Sequence, residues 1–340
     1  MNTKNNQIIK DLSVLFKKWA GKDPDTTEEL PHSGSSRVYF RFIAGKTQAI
    51  GVYNQNAIEN NAFIKFTQHF KAFQLNVPEI YAEDLSKNIY LIEDLSNIDL
   101  LSWIKTSQDK QNFESELIKK YKLVLKELIN FQITASQDFD YSICYPFSSF
   151  NKDAILFDLN YFLNQYVIPG KYDFNSDKII NDFNIFADYL LQEKANFFMY
   201  RDFQARNIML KNNQPYFIDY QGGRKGPLQY DVASLLYQAK ANIPEKLRME
   251  LLDFYISEVE KTISINRIKF TQYFFAFALI RILQTLGAYG LRGLVEGKSH
   301  FIESIAPALS NLSLVFRKTE VLNQTPELKN LLINITENKI

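Results

Sequence analysis

The sequence predicts an α+β protein with two lobes, a small β-rich N-terminal lobe and a larger, mainly helical C-terminal lobe. The chain has 340 residues, which exceeds what one compact core usually supports. Short apolar segments bounded by turn residues are concentrated before residue 95. Long segments with helical periodicity make up most of residues 96–340. We therefore expect one lobe over residues 1–95 and the other over residues 96–340.

The elements of the N-terminal lobe follow from their local patterns. An amphipathic helix comes first, and Gly21, Pro24 and Pro31 mark a turn-rich connection after it. Two strands around Gly45 form a hairpin signal. The predicted elements are a helix over 5–20, strands over 36–42 and 48–53, a helix over 58–73, and strands over 78–83 and 88–93.

The C-terminal lobe is predicted to be helical, with a few short strands in its middle. The aromatic-rich segment 272–283 is expected to be a core helix, because apolar residues surround most of its circumference. The predicted strands are 196–200, 207–210 and 215–218. The predicted helices are about 112–135, 152–168, 176–195, 230–241, 244–262, 266–290 and 298–318.

The charge balance excludes some classes of partner. The 39 basic and 38 acidic residues leave a net charge of +1, so we expect no binding to nucleic acid and none to a membrane surface. Cys144 is the only cysteine, which excludes an internal disulfide and a zinc site built from thiolates. No apolar stretch of signal-peptide length occurs at the N-terminus, so a cytoplasmic protein is expected.

Three polar residues at strand edges suggest phosphoryl transfer. Asn207 follows Asp202 by five residues, and Asp219 comes at the end of the next apolar strand. Each of them alone is a common turn residue. Together they supply a carboxylate to receive the proton of an attacking hydroxyl and oxygen ligands for magnesium, and such ligands suit zinc or copper poorly. We predict Asp202 as the general base and Asn207 and Asp219 as Mg²⁺ ligands.

Three segments around these residues carry a family resemblance. Residues 200–209, 217–221 and 226–236 resemble the aminoglycoside phosphotransferase and choline kinase superfamily. Residues 35–41, 91–95 and 281–287 resemble its bacterial branch that phosphorylates N-acetylmuramate and N-acetylglucosamine at the anomeric position. The resemblance implies a bilobal protein-kinase-like fold that uses ATP and Mg²⁺. It also implies nucleotide binding by the N-terminal lobe, and catalysis and substrate binding by the C-terminal lobe.

The sequence departs from the family pattern at two positions. Tyr200 replaces the usual histidine before Arg-Asp, and the strand 49–53 lacks the lysine that normally steadies the α- and β-phosphates. Arg37 and Arg41 share one face of the preceding strand, so either could supply the missing charge. Arg41 is preferred because it lies further along the strand. Glu59 could pair with that arginine or be an exposed helix-start glutamate.

The remaining candidate residues complete the predicted site. Asp231 is read first as a helix N-cap and second as a support of the loop that carries Asp202. The predicted nucleotide contacts are Ser35, Ser36, Arg37, Arg41 and Glu93, and the predicted substrate contacts are Gln204, Arg206, Gln221 and Arg224.

The predicted function is an ATP-dependent small-molecule kinase that acts on an amino sugar in cell-wall sugar salvage. An aminoglycoside kinase, a choline-type kinase and an inactive kinase-like binding module are the alternatives. Polycationic aminoglycosides need an acidic pocket, whereas this chain has Arg201, Arg206, Arg224 and Lys225 around the motifs. These cations favour a neutral or anionic substrate. The expected partner is a small-molecule sugar, and the oligomeric state is left open.

Overall fold

The computed structural model describes residues 3–31 and 37–337, with side chains from residue 5 onward. The predicted nucleotide contacts Ser35 and Ser36 therefore lie outside the described residues. The chain divides into two compact units. The first comprises the described residues up to Leu100 together with Ser142–Pro146 and Asn207–Gly222, and the second comprises the rest. The lobe boundary between residues 95 and 96 stays a prediction.

The described residues contain nine strands and twelve α-helices. The strands are β1 Thr26–Glu29, β2 Val38–Ala44, β3 Thr47–Tyr53, β4 Ile80–Asp84, β5 Ile89–Ile92, β6 Phe197–Met199, β7 Ile208–Lys211, β8 Gln214–Phe217 and β9 Arg224–Gly226. The helices are α1 Thr3–Ala20, α2 Ala57–Ala72, α3 Leu100–Ser107, α4 Phe113–Ile129, α5 Lys152–Phe162, α6 Ser176–Leu190, α7 Leu228–Leu236, α8 Glu245–Val259, α9 Arg267–Tyr289, α10 Ser299–Ile302, α11 Ile305–Phe316 and α12 Pro326–Glu337.

The first unit is built on an antiparallel sheet with the strand order β1-β2-β3-β5-β4. Its core joins the apolar face of α1, including Leu12 and Phe16, to Phe40 and Phe42 of β2. The predicted hairpin of β2 and β3 is confirmed, with Gly45 in the left-handed region at its turn. The edge strand β1 was not predicted, because its sequence TTEE is exposed throughout and has no apolar alternation.

A second hairpin in the first unit is flanked by two of the candidate residues. Strands β7 and β8 pair from Ile208↔Phe217 to Lys211↔Gln214. Asn212 and Asn213 at the turn both have positive φ, at 52° and 62°, as a two-residue hairpin turn of this kind requires. The short hairpin brings the start of β7 beside the end of β8, and this places Asn207 and Asp219 next to each other.

The second unit is mainly helical, with α9 in its core. Every residue from Tyr273 to Leu283 is buried, which confirms the prediction of a core helix. The segment Arg267–Val295 is long and apolar enough to cross a membrane, but 72% of its most apolar window is buried inside the protein. Such burial is typical of a core helix. The short strands β6 and β9 pair antiparallel, from Phe197↔Gly226 to Met199↔Arg224.

The helix ends differ from the prediction in several places. The segments after α4, α5 and α9 continue as π-helical turns over Asn130–Thr134, Leu163–Val167 and Gly290–Val295. The predicted helix 298–318 is divided into α10 and α11. Helices α3 and α12 and strand β9 were missed. The sequence of α12 contained a signal, because Pro326 stands at its first position and Leu328, Leu331, Leu332 and Ile335 form a buried face.

Two of the π-helical turns contact each other closely at Gly290. A Cβ atom built on Gly290 would lie 1.9 Å from the backbone oxygen of Gln165. Only glycine therefore allows the segment after α9 to approach the segment after α5 at this distance.

Candidate active site

A buried arginine in the first unit is held between two carboxylates. Arg37 directly precedes β2 and is only 4% exposed. Its Nη2 atom lies 2.8 Å from Oε1 of Glu59, and its Nη1 atom lies 3.6 Å from Oδ1 of Asp219. Burial by itself would lower the pKa of Arg37, but Tyr90, Tyr39, Glu59 and Asp219 together raise it above the usual value. The guanidinium is therefore charged at every physiological pH.

Glu59 reaches Arg37 from the start of α2. Asn56 caps this helix by accepting a hydrogen bond from the Glu59 backbone N–H at 3.2 Å. The Glu59 side chain also accepts a hydrogen bond from Asn54 at 3.0 Å. Of the two readings of Glu59, the ion pair with Arg37 is the one found.

Arg41 lies in β2, four residues after Arg37, and has different partners. Its Nε atom donates to Oδ2 of Asp94 at 2.6 Å, and its Nη2 atom donates to Oδ1 of Asn97 at 2.6 Å. Arg41 thus anchors the segment after β5 and makes no ion pair with Asp219. The neighbouring Glu93 forms an ion pair with Lys211, and its backbone N–H donates to the Glu79 oxygen at 2.9 Å.

Asn207 and Asp219 are in direct contact. The Asn207 side-chain amide donates to Oδ2 of Asp219 at 3.2 Å, and Ile218 N–H donates to the Asn207 backbone oxygen at 3.1 Å. Gln221, a predicted substrate contact, donates to Oδ1 of Asp219 at 2.7 Å. Asp219 has a positive φ of 70°, a conformation that few non-glycine residues adopt and that Asp adopts more often than most.

The donor chemistry of this pair fits a hard cation. Among residues 5–31 and 37–337 no group of three His, Cys, Asp or Glu side chains could hold a metal ion by itself. Asn207 and Asp219 offer one amide and one carboxylate. Magnesium commonly binds proteins through one or two carboxylates and completes its shell with phosphate oxygens and water. The residues present therefore fit a Mg²⁺ ion that arrives with a nucleotide.

Asp202 lies in the second unit, on a loop formed by residues 200–206 that we call the Asp202 loop. The backbone of this loop is strained. Arg201 has a positive φ of 75°. Its guanidinium binds the buried carboxylate of Asp158 in bidentate fashion, at 3.1 Å and 2.8 Å. The backbone N–H groups of Tyr200 and Arg201 donate to the carboxylate of Asp231 at 2.7 Å and 2.8 Å. Two buried carboxylates thus hold the loop in its strained conformation.

The first reading of Asp231 as a helix N-cap is wrong, and the second reading as a loop support is confirmed. The N-cap of α7 is Pro227, so Asp231 lies within the first turn, and its carboxylate is used by the Asp202 loop. Gln132 also donates to Asp231 at 3.0 Å and accepts from the Tyr255 hydroxyl at 2.5 Å. Burial raises the pKa of Asp231 to about 7, and the N–H donors oppose a further rise.

The carboxylate of Asp202 is surrounded by positive charge. Arg281 Nη2 donates to Oδ1 of Asp202 at 3.1 Å. Burial alone would raise the pKa of Asp202, but Arg281, Arg201 and Arg206 outweigh it and lower the pKa below its usual value of 3.8. Asp202 is therefore ionised at neutral pH. Arg281 is not among the residues that the sequence predicts for the site. Its signal was a single arginine in an otherwise apolar helical segment, because a buried charge needs a partner.

Comparison with known proteins identifies the family of the chain. A model of the phosphotransferase enzyme family matches residues 27–262. The chain belongs to this phosphotransferase family. It is an enzyme that transfers a phosphoryl group to a hydroxyl group, as expected from the sequence.

Two curated relatives of the phosphotransferase have the same description, N-acetylmuramate/N-acetylglucosamine kinase. The relative from Neisseria meningitidis is 21% identical over 252 residues, which cover 72% of each chain. The relative from Pseudomonas aeruginosa is 23% identical over 231 residues, which cover 67% of this chain and 64% of the relative.

Solved structures support the fold. A choline kinase from Cryptosporidium parvum superposes with a TM-score of 0.63 at 16% identity, over 97% of this chain and 100% of the other. The APH(2")-IIa phosphotransferase in a ternary complex with streptomycin and ATP has a TM-score of 0.57 at 15% identity, over 89% and 97% of the two chains. Sequence identities this low show only that the fold is shared. The predicted α+β, protein-kinase-like fold is confirmed.

The predicted substrate contacts of the phosphotransferase have different environments. Gln204 is 9% exposed and lines a cavity of about 20 Å³ with Gln238 and Arg281. Arg206 is exposed. Arg224 is buried in β9, with its guanidinium 5.6 Å from the centre of the Phe147 ring, and burial together with Arg201 lowers its pKa to about 10. Of these residues, only Gln204 and Arg206 lie on the Asp202 loop.

The positively charged side chains near the Asp202 loop differ from those expected from the sequence. The charge of Arg201 is offset by Asp158. The backbone N–H of Ala205 donates to the side-chain oxygen of Gln238 at 2.7 Å. This bond holds the backbone next to Arg206 against the turn that carries Lys240. Burial lowers the pKa of Lys240, and repulsion from Lys105 and Arg206 lowers it further, although Glu303 opposes this. Arg206 and Lys240, which we call the basic cluster, thus lie near each other, with Lys105 and Glu303 close by.

Proposed function

We propose that this phosphotransferase uses ATP and Mg²⁺ to phosphorylate a hydroxyl of an amino sugar, of the N-acetylmuramate or N-acetylglucosamine type, at the anomeric position. The descriptions of the curated relatives and the resemblance of residues 35–41, 91–95 and 281–287 support this acceptor. The partner is then a small-molecule sugar, and salvage of a cell-wall sugar would be carried out in the cytoplasm.

The observation that carries the ATP assignment is the pairing of Arg37 with Glu59 and Asp219. In protein kinases a strand lysine contacts the phosphates and pairs with a helix glutamate. This chain has no lysine in β3, but Arg37 has a helix glutamate as partner and lies beside a candidate metal ligand. An arginine can bind phosphate in bidentate fashion and stays charged when buried.

The same geometry reverses the preference between the two arginines. Arg41 is engaged with Asp94 and Asn97, which are neither helix glutamates nor candidate metal ligands. We therefore assign the phosphate contact to Arg37. Arg41 has a structural role, because it fixes the segment that follows β5.

Asn207 and Asp219 would hold Mg²⁺, and Asp202 would act as the base. When bound, Mg²⁺ supplies charge neutralisation to the phosphate oxygens. Asp202, ionised at neutral pH, can accept a hydrogen bond from the attacking hydroxyl and then take its proton. Asp231 and Asp158 keep the Asp202 loop in one conformation, and such positioning is the main contribution of a protein to phosphoryl transfer.

The charges beside the Asp202 loop favour a neutral or anionic acceptor. Arg206 and Lys240 would repel an aminoglycoside, which carries several positive charges. They would also disfavour choline, whose ammonium group is recognised by aromatic and acidic side chains. An acetylated amino sugar has no positive charge, and N-acetylmuramate carries a carboxylate that the basic cluster would attract.

One assay tests the acceptor and the base together. ADP release is measured with N-acetylmuramate, N-acetylglucosamine, glucosamine, choline and kanamycin, and the phosphorylated position is identified by ³¹P and ¹³C NMR. We expect turnover with the acetylated sugars and loss of on the order of 100-fold to 10,000-fold in Asp202→Asn. Turnover confined to kanamycin or choline, or parental turnover by Asp202→Asn, would show that the proposal is wrong.

The nucleotide assignment is tested with a matched pair of variants on one strand segment. We expect Arg37→Ala to weaken Mg·ATP binding in a calorimetric titration, because it removes the arginine that pairs with Asp219. Arg41→Ala should leave the dissociation constant unchanged. The reverse result would restore Arg41 as the phosphate ligand.

A further inference from the structure

Arg281 is a buried cation in the middle of α9. It is 4% exposed and lies on a helix whose neighbouring residues are apolar. Its Nε atom donates to the Ser234 hydroxyl at 2.9 Å, and its Nη1 atom donates to Gln284. Its guanidinium lies 5.8 Å from the centre of the Tyr230 ring. These uncharged partners hold the guanidinium in one orientation without neutralising it.

The only carboxylate that contacts Arg281 within the described residues is Asp202. Removing a charge from water is costly unless the charge is paired, so the ion pair is the feature that makes this arginine acceptable in the core. The two partners differ in exposure, because the Arg281 side chain is 5% exposed and the Asp202 side chain is 34% exposed. A rigid group on a core helix therefore constrains a more exposed group on a loop.

We propose that Arg281 is a positioning residue that orients the Asp202 carboxylate and keeps it ionised. This inference rests on the proposed function, because it takes Asp202 as the base. Arg281 holds Oδ1 of Asp202 at a fixed point of the helix, in addition to the backbone restraints that Asp231 and Asp158 place on the loop. The backbone restraints fix the loop, whereas Arg281 fixes the side chain.

The charged groups around Asp202 determine how its pKa should change when Arg281 is removed. Arg201 and Arg206 are on the same loop, Arg224 is on β9 and Tyr230 is on α7, with Asp158 beside Arg201. Arg281 makes the largest of the favourable charge contributions and is the one that also donates a hydrogen bond. Without it, burial would raise the pKa of Asp202, and the base would be protonated at a higher pH.

The test compares kcat and KM across pH for the parent, Arg281→Gln and Arg281→Lys, with N-acetylmuramate and Mg·ATP as substrates. We expect Arg281→Gln to lower kcat on the order of 100-fold, since a misplaced reacting group loses about that much. The acid limb of its kcat–pH profile should move up by about 1 to 3 pH units. Arg281→Lys should restore the acid limb and part of kcat, because it keeps the charge without the planar donors.

Arg248→Gln is the matched control. Arg248 is also buried, at 3% exposure, lies 4.5 Å from the centre of the Tyr237 ring and pairs with Glu245, but it does not contact Asp202. This variant should lower the melting temperature and leave the acid limb in place. If Arg281→Gln does not fold, Ser234→Ala removes one partner of Arg281 and should lower kcat while the charge remains.

A direct titration separates this inference from the proposed function. ¹³Cγ-aspartate NMR of the parent and Arg281→Gln reports the protonation of Asp202 without any substrate, with Asp202→Asn identifying the resonance. An upward shift of the titration in Arg281→Gln supports the inference even if no sugar is phosphorylated. Unchanged titration and an unchanged acid limb would overturn it, as would a variant that raises only KM for N-acetylmuramate, since Arg281 would then be a substrate ligand.

Discussion

Replacing Asp231 with asparagine should weaken both the fold and the catalytic rate. The two carboxylate oxygens of Asp231 accept hydrogen bonds from Tyr200 N–H at 2.7 Å, Arg201 N–H at 2.8 Å and the Gln132 amide at 3.0 Å. Asparagine has the same shape but only one acceptor oxygen. In either orientation its amide nitrogen faces at least one of these N–H donors, so at least one donor is left without an acceptor.

The expected cost follows from these contacts. A buried donor that loses its acceptor costs about 1 to 3 kcal/mol. The smallest loss occurs if the asparagine oxygen faces Tyr200 and Gln132, because only the Arg201 N–H is then unsatisfied. Since Arg201 already has a positive φ of 75°, release of its N–H should let the Asp202 loop relax. We therefore expect kcat to fall together with the free energy of unfolding.

The assay is urea unfolding combined with steady-state kinetics, and Asp182→Asn is the control. Asp182 is a buried aspartate at 3% exposure on α6, and among the described residues it accepts one backbone hydrogen bond, from Leu328 at 2.9 Å. An asparagine there can keep this bond by choosing its orientation, so we expect a loss below about 1 kcal/mol and parental kcat. If Asp231→Asn unfolds at the parental urea concentration and retains parental kcat, Asp231 does not support the loop.

Further predictions concern the other restraints on the site and its helices. Asp158→Ala should cost about 3 to 5 kcal/mol, because it removes the buried carboxylate that binds the Arg201 guanidinium in bidentate fashion, and a melting temperature within a degree of the parent would contradict this. Gly290→Ala should cost about 1 to 3 kcal/mol in urea unfolding, because the new Cβ would overlap the Gln165 oxygen, and unchanged stability would mean that the two segments can separate freely. Arg206→Ala should raise KM for N-acetylmuramate more than KM for N-acetylglucosamine, and an equal effect on both would argue against recognition of a carboxylate.

The sequence and the structure agree best where a pattern is local. The β2–β3 hairpin, the core helix α9 and the strands on either side of Asp202 follow from alternation, helical periodicity and turn residues within short windows. The π-helical turns after α4, α5 and α9 had no such pattern. At Gly290 the conformation is coupled to close contact with Gln165, which is far away in the sequence.

The choice between Arg37 and Arg41 shows where a local pattern is insufficient. Alternation along the strand predicts that both side chains point to the same face. Their partners come from other elements, Glu59 and Asp219 for one and Asp94 for the other. No periodicity in the sequence distinguishes these partners, so the preference for Arg41 rested on position along the strand alone.

The sequence by itself determined the family, the fold class and the order Asp202, Asn207, Asp219, because these depend on residue types at short spacing. Only the tertiary structure decided how the Asp202 loop is held. Arg281 is separated from Asp202 by 79 residues, Asp158 from Arg201 by 43 and Asp231 from Tyr200 by 31. The physical reason is that a buried charge must find its partner wherever the packed core brings one within hydrogen-bond distance, and sequence spacing does not record that distance.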